Sequence, residues 1–137
     1  MKRILVCGLP GAGKTFLSKH LSKLIGAVHL NADELREKHN DWDFSNAGRL
    51  RQANRMRLLA DEYTEYGRIV IADFVCPTQK LREEYGPDTV IFVDTIDESR
   101  YADTNKIFEA PANPDFHITK KLKIKEIEKL AEKLQNE

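Results

Sequence analysis

GLPGAGKT, residues 8–15, decides the fold. In front of it RILVC (3–7) is a continuous apolar run, suited to a strand covered on both faces. Behind it Leu17, Leu21, Leu24 and Ile25 recur at helical spacing until Gly26 ends the helix. The stretch matches Gly-x-x-x-x-Gly-Lys-Ser/Thr, and a strand that turns through glycines into a helix is the setting in which that pattern cradles phosphate. Gly8, Gly11 and Gly13 let backbone N–H groups curl around anionic oxygens, with Pro10 and Ala12 between them and Phe16 in the first helical turn. The helix start adds about half a positive charge. Lys14 is assigned to the outer phosphates and the Thr15 hydroxyl to Mg²⁺, so the expected ligand is ATP with its metal.

Outward from the loop, strands and helices alternate. AVHLN (27–31) reads as a second strand, followed by the short helix ELREKH with Asp33 as its cap. A long helix follows Ser45 and Asn46, with Leu50, Ala53, Met56, Leu59, Ala60 and Tyr63 as its apolar stripe and Gly67 closing it. RIVIAD (68–73) and TVIFVD (89–94) are further strands, TQKLREEY is a helix with Pro77 near its first turn, and DFHIT (115–119) is a short fifth strand. The helix KEIEKLAEKLQ ends the chain, with Ile124, Ile127, Leu130 and Leu134 toward the core. This order predicts one domain over 1–137: a three-layer α/β fold of the phosphate-loop, nucleoside-kinase-like type, with a parallel sheet of about five strands. Residues 102–114, ADTNKIFEAPANP, read as a loop and a candidate lid.

Composition removes several function classes. The 22 basic residues balance 22 acidic ones, so no field suited to long nucleic acid is present. Two cysteines, Cys7 and Cys76, lie in apolar strand-like contexts and are too few for a disulfide scaffold, which fits a reduced, cytoplasmic setting. No signal peptide or membrane span can be drawn. No self-complementary patch stands out, and a homodimer is left open.

The second informative stretch is NADELREKHNDWDFSNAGRLRQ, residues 31–52. Ligands of an open parallel sheet collect beyond the carboxyl ends of its strands. Asp33 follows strand two and Asp73 ends strand three, so both should face the phosphate loop. Either carboxylate can take a proton from an attacking hydroxyl or steady Mg²⁺. The alternatives are that Asp33 is only a helix cap, a role compatible with the first, and that Asp73 is only a strand end meeting water. Arg36 and Arg49 flank the turn DWDFS, where a guanidinium can hold an anion by paired hydrogen bonds, while Arg51 and Arg55 share one helix face. Phe44 is a candidate platform for a base, or alternatively a staple holding the long helix to the core. Trp42 stays open between these roles.

These residues resemble the adenylylsulfate kinase family, phosphate-loop enzymes that phosphorylate the 3′-hydroxyl of adenosine 5′-phosphosulfate. The resemblance rests on GLPGAGKT, LNADELR, NDWDFSNAGRLRQ and IADFVCPTQKLREEY, in order, over residues 4 to about 100. It implies that Asp33 activates the 3′-hydroxyl or helps hold Mg²⁺, and that Arg36 and Arg49 grip the phosphosulfate. It further implies that Asn40 and Gln52 line the acceptor pocket, Phe44 stacks on adenine, and the backbone at Val75 and Cys76 borders the sulfate. Three departures stand out: Cys76 replaces a serine, Gln52 replaces an asparagine, and the family's lysine-rich lid is missing. Lys106 and Phe108 in the shorter segment are candidate substitutes for it.

The leading expectation is therefore an ATP- and Mg²⁺-dependent kinase of adenosine 5′-phosphosulfate. A kinase of another small hydroxyl compound or of a nucleic-acid 5′-end is the second reading, and a nucleotide-binding module without transfer is the third.

Overall fold

The computed structural model describes residues 2–136. Five strands, β1 (Arg3–Cys7), β2 (Val28–Asn31), β3 (Val70–Asp73), β4 (Thr89–Val93) and β5 (Phe116–Ile118), form one sheet in the order β2-β3-β1-β4-β5. Every pairing is parallel. The helices are α1 (Lys14–Ile25), α2 (Ala32–His39), α3 (Asn46–Glu65), α4 (Gln79–Tyr85), α5 (Ala102–Ile107) and α6 (Ile124–Gln135).

The period of two along β1 sorts the core into two layers. Ile4 and Val6 join Leu17, Leu21 and Ile25 of α1 and Ile127, Leu130 and Leu134 of α6 on one face. Leu5 and Cys7 join Ala53, Met56 and Ala60 of α3 and Leu81 and Tyr85 of α4 on the other. Each fully buried aliphatic side chain contributes roughly 1.5–3 kcal/mol. Since β3 and β4 flank β1 on opposite sides, the chain reverses its direction of travel across the sheet at β1. The crevice at that reversal opens at the carboxyl ends of the strands, where Gly8 begins the phosphate loop.

Several sequence expectations need correction. The strand expected from residue 68 begins at Val70, and the fifth strand is confined to Phe116–Ile118. Leu24, Leu50, Tyr63 and Ile124 are exposed rather than buried. On α3 the buried line runs through Gly48, Arg49, Gln52, Ala53, Met56 and Ala60. The N-terminal half of that helix fronts a cavity, so it turns polar groups inward and rotates Leu50 out to solvent. The segment 102–114 is not simply a loop, because α5 occupies its first half.

Candidate active site

Backbone geometry shapes the phosphate loop. Gly8 has φ 151°, and a Cβ there would come within 2.3 Å of the Val93 carbonyl oxygen, so only glycine lets β1 turn beside β4. Gly13 precedes α1 in the left-handed region at φ 101°. The Lys14 ammonium is buried and donates to the Leu9 carbonyl at 2.9 Å, across its own loop. Burial lowers its pKa, while the carboxylates of Asp73 and Asp33 oppose that shift.

Register explains what stands beside it. Asn31 and Asp73 are partners across β2 and β3, and His29 lies two residues back on the same face. Asp73, 2% exposed, accepts at Oδ2 from Asn31 Nδ2 at 3.0 Å and pairs with His29 Nε2 at 3.1 Å. Asn31 Nδ2 also reaches Thr15 Oγ1 at 3.2 Å. One amide thus joins the loop's hydroxyl to the carboxylate that ends β3. Among the described residues no cluster of three or more His, Cys, Asp or Glu is formed. A hydroxyl and one carboxylate suit Mg²⁺, which keeps waters and substrate phosphates in its shell, better than a metal that needs a full protein cage.

The cap of α2 belongs to Asn31, whose Oδ1 accepts from Glu34 N at 2.9 Å, and not to Asp33. The pattern Asn-x-x-Glu at 31–34 carried that signal, since it places an acidic residue three positions after a good cap. The Asp33 carboxylate, exposed in the first turn, has no hydrogen-bond partner among the described residues and lines the cavity. Neither His29 nor Asn31 was singled out from sequence as a site residue.

The turn 41–45 is held by arginines with two different tasks. Arg51 donates from Nε to Asp41 Oδ2 at 2.8 Å and from Nη2 to Asp43 Oδ2 at 3.1 Å, and Arg55 Nη2 reaches Asp41 Oδ2 at 3.0 Å. These bonds hold the Asp41 carboxyl well below the usual carboxylate range. Arg51 and Arg55 are therefore spent on the turn itself. Gly48 allows the turn to cross α3 closely: a Cβ there would lie 2.1 Å from the Asp43 carbonyl oxygen.

Arg36 and Arg49 differ, because neither is in an ion pair among the described residues. Arg36, 4% exposed, spends Nη1 on the Asp41 and Asp43 carbonyls at 2.9 and 3.2 Å. Arg49 donates from Nε to the Phe44 carbonyl at 2.9 Å and from Nη2 to Thr104 Oγ1 at 3.1 Å. Burial lowers the pKa of both. Arg36 Nη2 and Arg49 Nη1 have no hydrogen-bond partner among the described residues. Both guanidinium carbons lie over the Phe44 ring, 4.3 and 5.4 Å from its centroid. Arg49 occupies the helix position where an apolar staple partner would stand, yet Phe44 remains 52% exposed along the cavity. The ring is not a core staple.

A cavity of about 1240 Å³ joins these groups. Pro10, Gly11, Gly13, Lys14, Thr15, Phe16, Asp33 and Asp73 line it with Arg36, Trp42, Phe44, Arg49, Gln52, Val75 and Cys76. Gly8 and Ala12 belong to the loop but do not line it. Gln52 is turned inward, donating to the Ala32 carbonyl at 3.0 Å and accepting from Arg55 Nη1 at 2.8 Å. Cys76 holds a left-handed φ of 44° and its carbonyl accepts from Arg82 Nη1 at 2.9 Å, while burial pushes its thiol well up. The Val75 and Cys76 amides have no hydrogen-bond partner among the described residues.

Two expectations fail. Asn40 is the left-handed C-cap of α2, exposed and outside the cavity, because the chain must reverse there to begin the turn. Lys106 and Phe108 do not line the cavity either. Phe108 stacks on Phe92 at 5.9 Å in the sheet's α3–α4 layer, and Lys106 points to solvent. The residues of this region that do reach the cavity are Glu98 to Thr104, of which only Ala102, Asp103 and Thr104 fall within the expected lid.

The family described as AAA domain matches residues 4–86. Among solved structures, the Mycobacterium tuberculosis APS kinase CysC in complex with AMPPNP and APS is similar at TM-score 0.77 and 20% identity, over 98% of this chain and 96% of that one. A sugar kinase from Janibacter sp. HTCC2649 gives 0.73 and 16%, over 99% and 95% of the two chains. Shikimate kinase from Acinetobacter baumannii in complex with shikimate gives 0.57 and 22%, over 99% and 92%. At such identities the likeness is one of fold, that of α/β phosphate-loop kinases. No match is found among curated protein sequences. No helix among the described residues is long and apolar enough to cross a membrane.

Proposed function

The chain belongs to the AAA domain family, and on that premise we propose that it is a kinase moving the γ-phosphoryl group of ATP to the 3′-hydroxyl of adenosine 5′-phosphosulfate. The observation that carries the acceptor assignment is the pair Arg36 and Arg49: two buried cations without carboxylates, each with a free donor, laid on one half-exposed aromatic ring. An unpaired buried charge is costly, so such a pair is a site prepared for an anion. An aromatic beside it suits an adenylyl group.

In this reading the phosphate loop and Lys14 hold the triphosphate, and Asp33 accepts the proton of the attacking hydroxyl. Thr15 and Asp73 would hold Mg²⁺, which when bound neutralises charge on the phosphate oxygens. Arg36 and Arg49 orient the phosphosulfate, Phe44 carries the adenine, and the free amides of Val75 and Cys76 border the sulfate. Gln52 positions α2 against α3 and is not spent on the acceptor. Positioning and charge neutralisation supply the rate, as phosphoryl transfer needs little covalent help.

The test is transfer from γ-labelled ATP with Mg²⁺ to a panel: adenosine 5′-phosphosulfate, shikimate, gluconate and a 5′-hydroxyl oligonucleotide. Label is expected in the phosphosulfate product alone. Label in one of the others, or ATP binding with transfer to none, would replace this reading. Phe44→Ala is expected to raise the acceptor KM about tenfold, the worth of a stacked base, with kcat and the ATP KM little changed. An unchanged acceptor KM with a lowered Tm would return Phe44 to a structural role.

A further inference from the structure

Thr104 is buried on α5, on the wall of the cavity, and its hydroxyl meets Arg49 Nη2 at 3.1 Å across a sequence separation of 55 residues. With the Phe44 carbonyl on Nε and the Phe44 ring beneath, the guanidinium is fixed from three sides and Nη1 is left free. The segment that carries Thr104 is braced within itself at its start and tied to the rest of the fold at its end. Asn105, within α5, accepts at Oδ1 from Ser99 N at 2.8 Å and from Ser99 Oγ at 2.7 Å, and its Nδ2 donates to the Ser99 carbonyl at 2.8 Å. After it, Glu109 N donates to the Pro77 carbonyl at 2.7 Å, and the Glu109 carbonyl accepts from Arg82 Nη2 at 2.7 Å. Glu109 Oε1 also accepts from Gln79 N at 3.0 Å. Together with the Thr104–Arg49 bond, these contacts hold the segment to α3 and to the start of α4.

We propose that Thr104 is a positioning residue for the acceptor: its hydroxyl holds Arg49 ready over Phe44, so that residues 99–109 act as a fixed bracket for the acceptor grip. An arginine side chain loses much rotamer freedom when it is pinned, and ordering it before the ligand arrives improves affinity without any new contact to the ligand. In this proposal the Thr104 hydroxyl acts on the acceptor through Arg49, to which it is bonded. Its removal therefore weakens acceptor binding and leaves the phosphate loop untouched. The inference rests on the reading of Arg49 as an acceptor contact.

Adenosine 5′-phosphosulfate binding in the presence of ADP and Mg²⁺ can be followed by the fluorescence of Trp42, the single tryptophan, which is half-exposed on the same cavity. Steady-state turnover of the same variants completes the measurement. Thr104→Val and Thr104→Ala are expected to raise the acceptor Kd and KM about tenfold, as for a hydrogen bond to a charged group, with kcat at saturating acceptor and the ATP KM unchanged. Thr104→Ser should restore wild-type values. Arg49→Ala separates the two layers of the argument. If it raises the acceptor Kd while Thr104→Val and Thr104→Ala do not, or if Thr104→Ser is as impaired as they are, the bracket is overturned and the acceptor reading stands. If Arg49→Ala leaves the Kd unchanged, or the wild-type chain does not bind the phosphosulfate, the acceptor reading fails and the bracket with it.

Discussion

Lys14→Ala is expected to lower kcat by at least about 10²–10³-fold, the loss that follows removal of one preorganised group aimed at developing charge. The ammonium is buried at the mouth of the phosphate loop, where the local dielectric is low and a positive charge acts strongly on phosphate oxygens. Its partner is the Leu9 carbonyl, a neutral group that a triphosphate readily displaces. The stability effect should run the other way. Burial already depresses the lysine's pKa, so the folded state gains little from this charge, and the variant should melt at or above the wild-type temperature. ATP with Mg²⁺ should raise the Tm of the wild type by mass action and raise that of the variant much less. Wild-type turnover in the variant would remove the phosphate-loop mechanism. A collapsed Tm would instead assign Lys14 to the fold.

Asp33→Asn is expected to lower kcat by about 10²–10⁴-fold, the usual worth of a positioned general base, with both KM values within a small factor of wild type. The substitution preserves shape and removes only the ability to take a proton. Its force comes from the cap assignment: Asn31 closes the N-terminus of α2, so the Asp33 carboxylate has no structural duty there beyond a favourable interaction with the helix dipole, about 0.3–1 kcal/mol. Catalysis and stability are thereby separable at this position. A variant that keeps its kcat and loses about that much stability would return Asp33 to a helix-dipole role and transfer the search for a base to Asp73. That residue is a less free candidate, because one of its oxygens already serves both His29 and Asn31.

The first half of the site was legible because its determinants are local. Glycines at fixed spacing, a lysine and a threonine after a short apolar run specify a backbone path within one turn, and the path found is the one expected. The parallel sheet was equally readable, since β1, β3 and β4 are buried on both faces and appear as unbroken apolar runs. The stripe expected on α3 holds at Ala53, Met56 and Ala60 and fails at Leu50, for a related reason. Hydrophobic periodicity reports the face turned toward apolar neighbours, whereas the first half of α3 faces a cavity and buries Arg49 and Gln52 there. Lys106 and Phe108 stand out only by residue type, in a segment whose path is set by partners distant in sequence.

Read alone, the chain of residues determined the phosphate loop, the alternation of strands and helices, and the two candidate carboxylates beyond the strand ends. Tertiary structure alone decided which arginines are available: Arg51 and Arg55 are consumed by Asp41, while Arg36 and Arg49 keep free donors over Phe44. It also decided that Asn31 frees Asp33 and that Thr104 meets Arg49. The reason is physical. Backbone conformation follows from neighbours in sequence, but whether a charge is neutralised depends on which groups the fold brings within a few ångströms, and that distance carries no trace in the spacing of the residues.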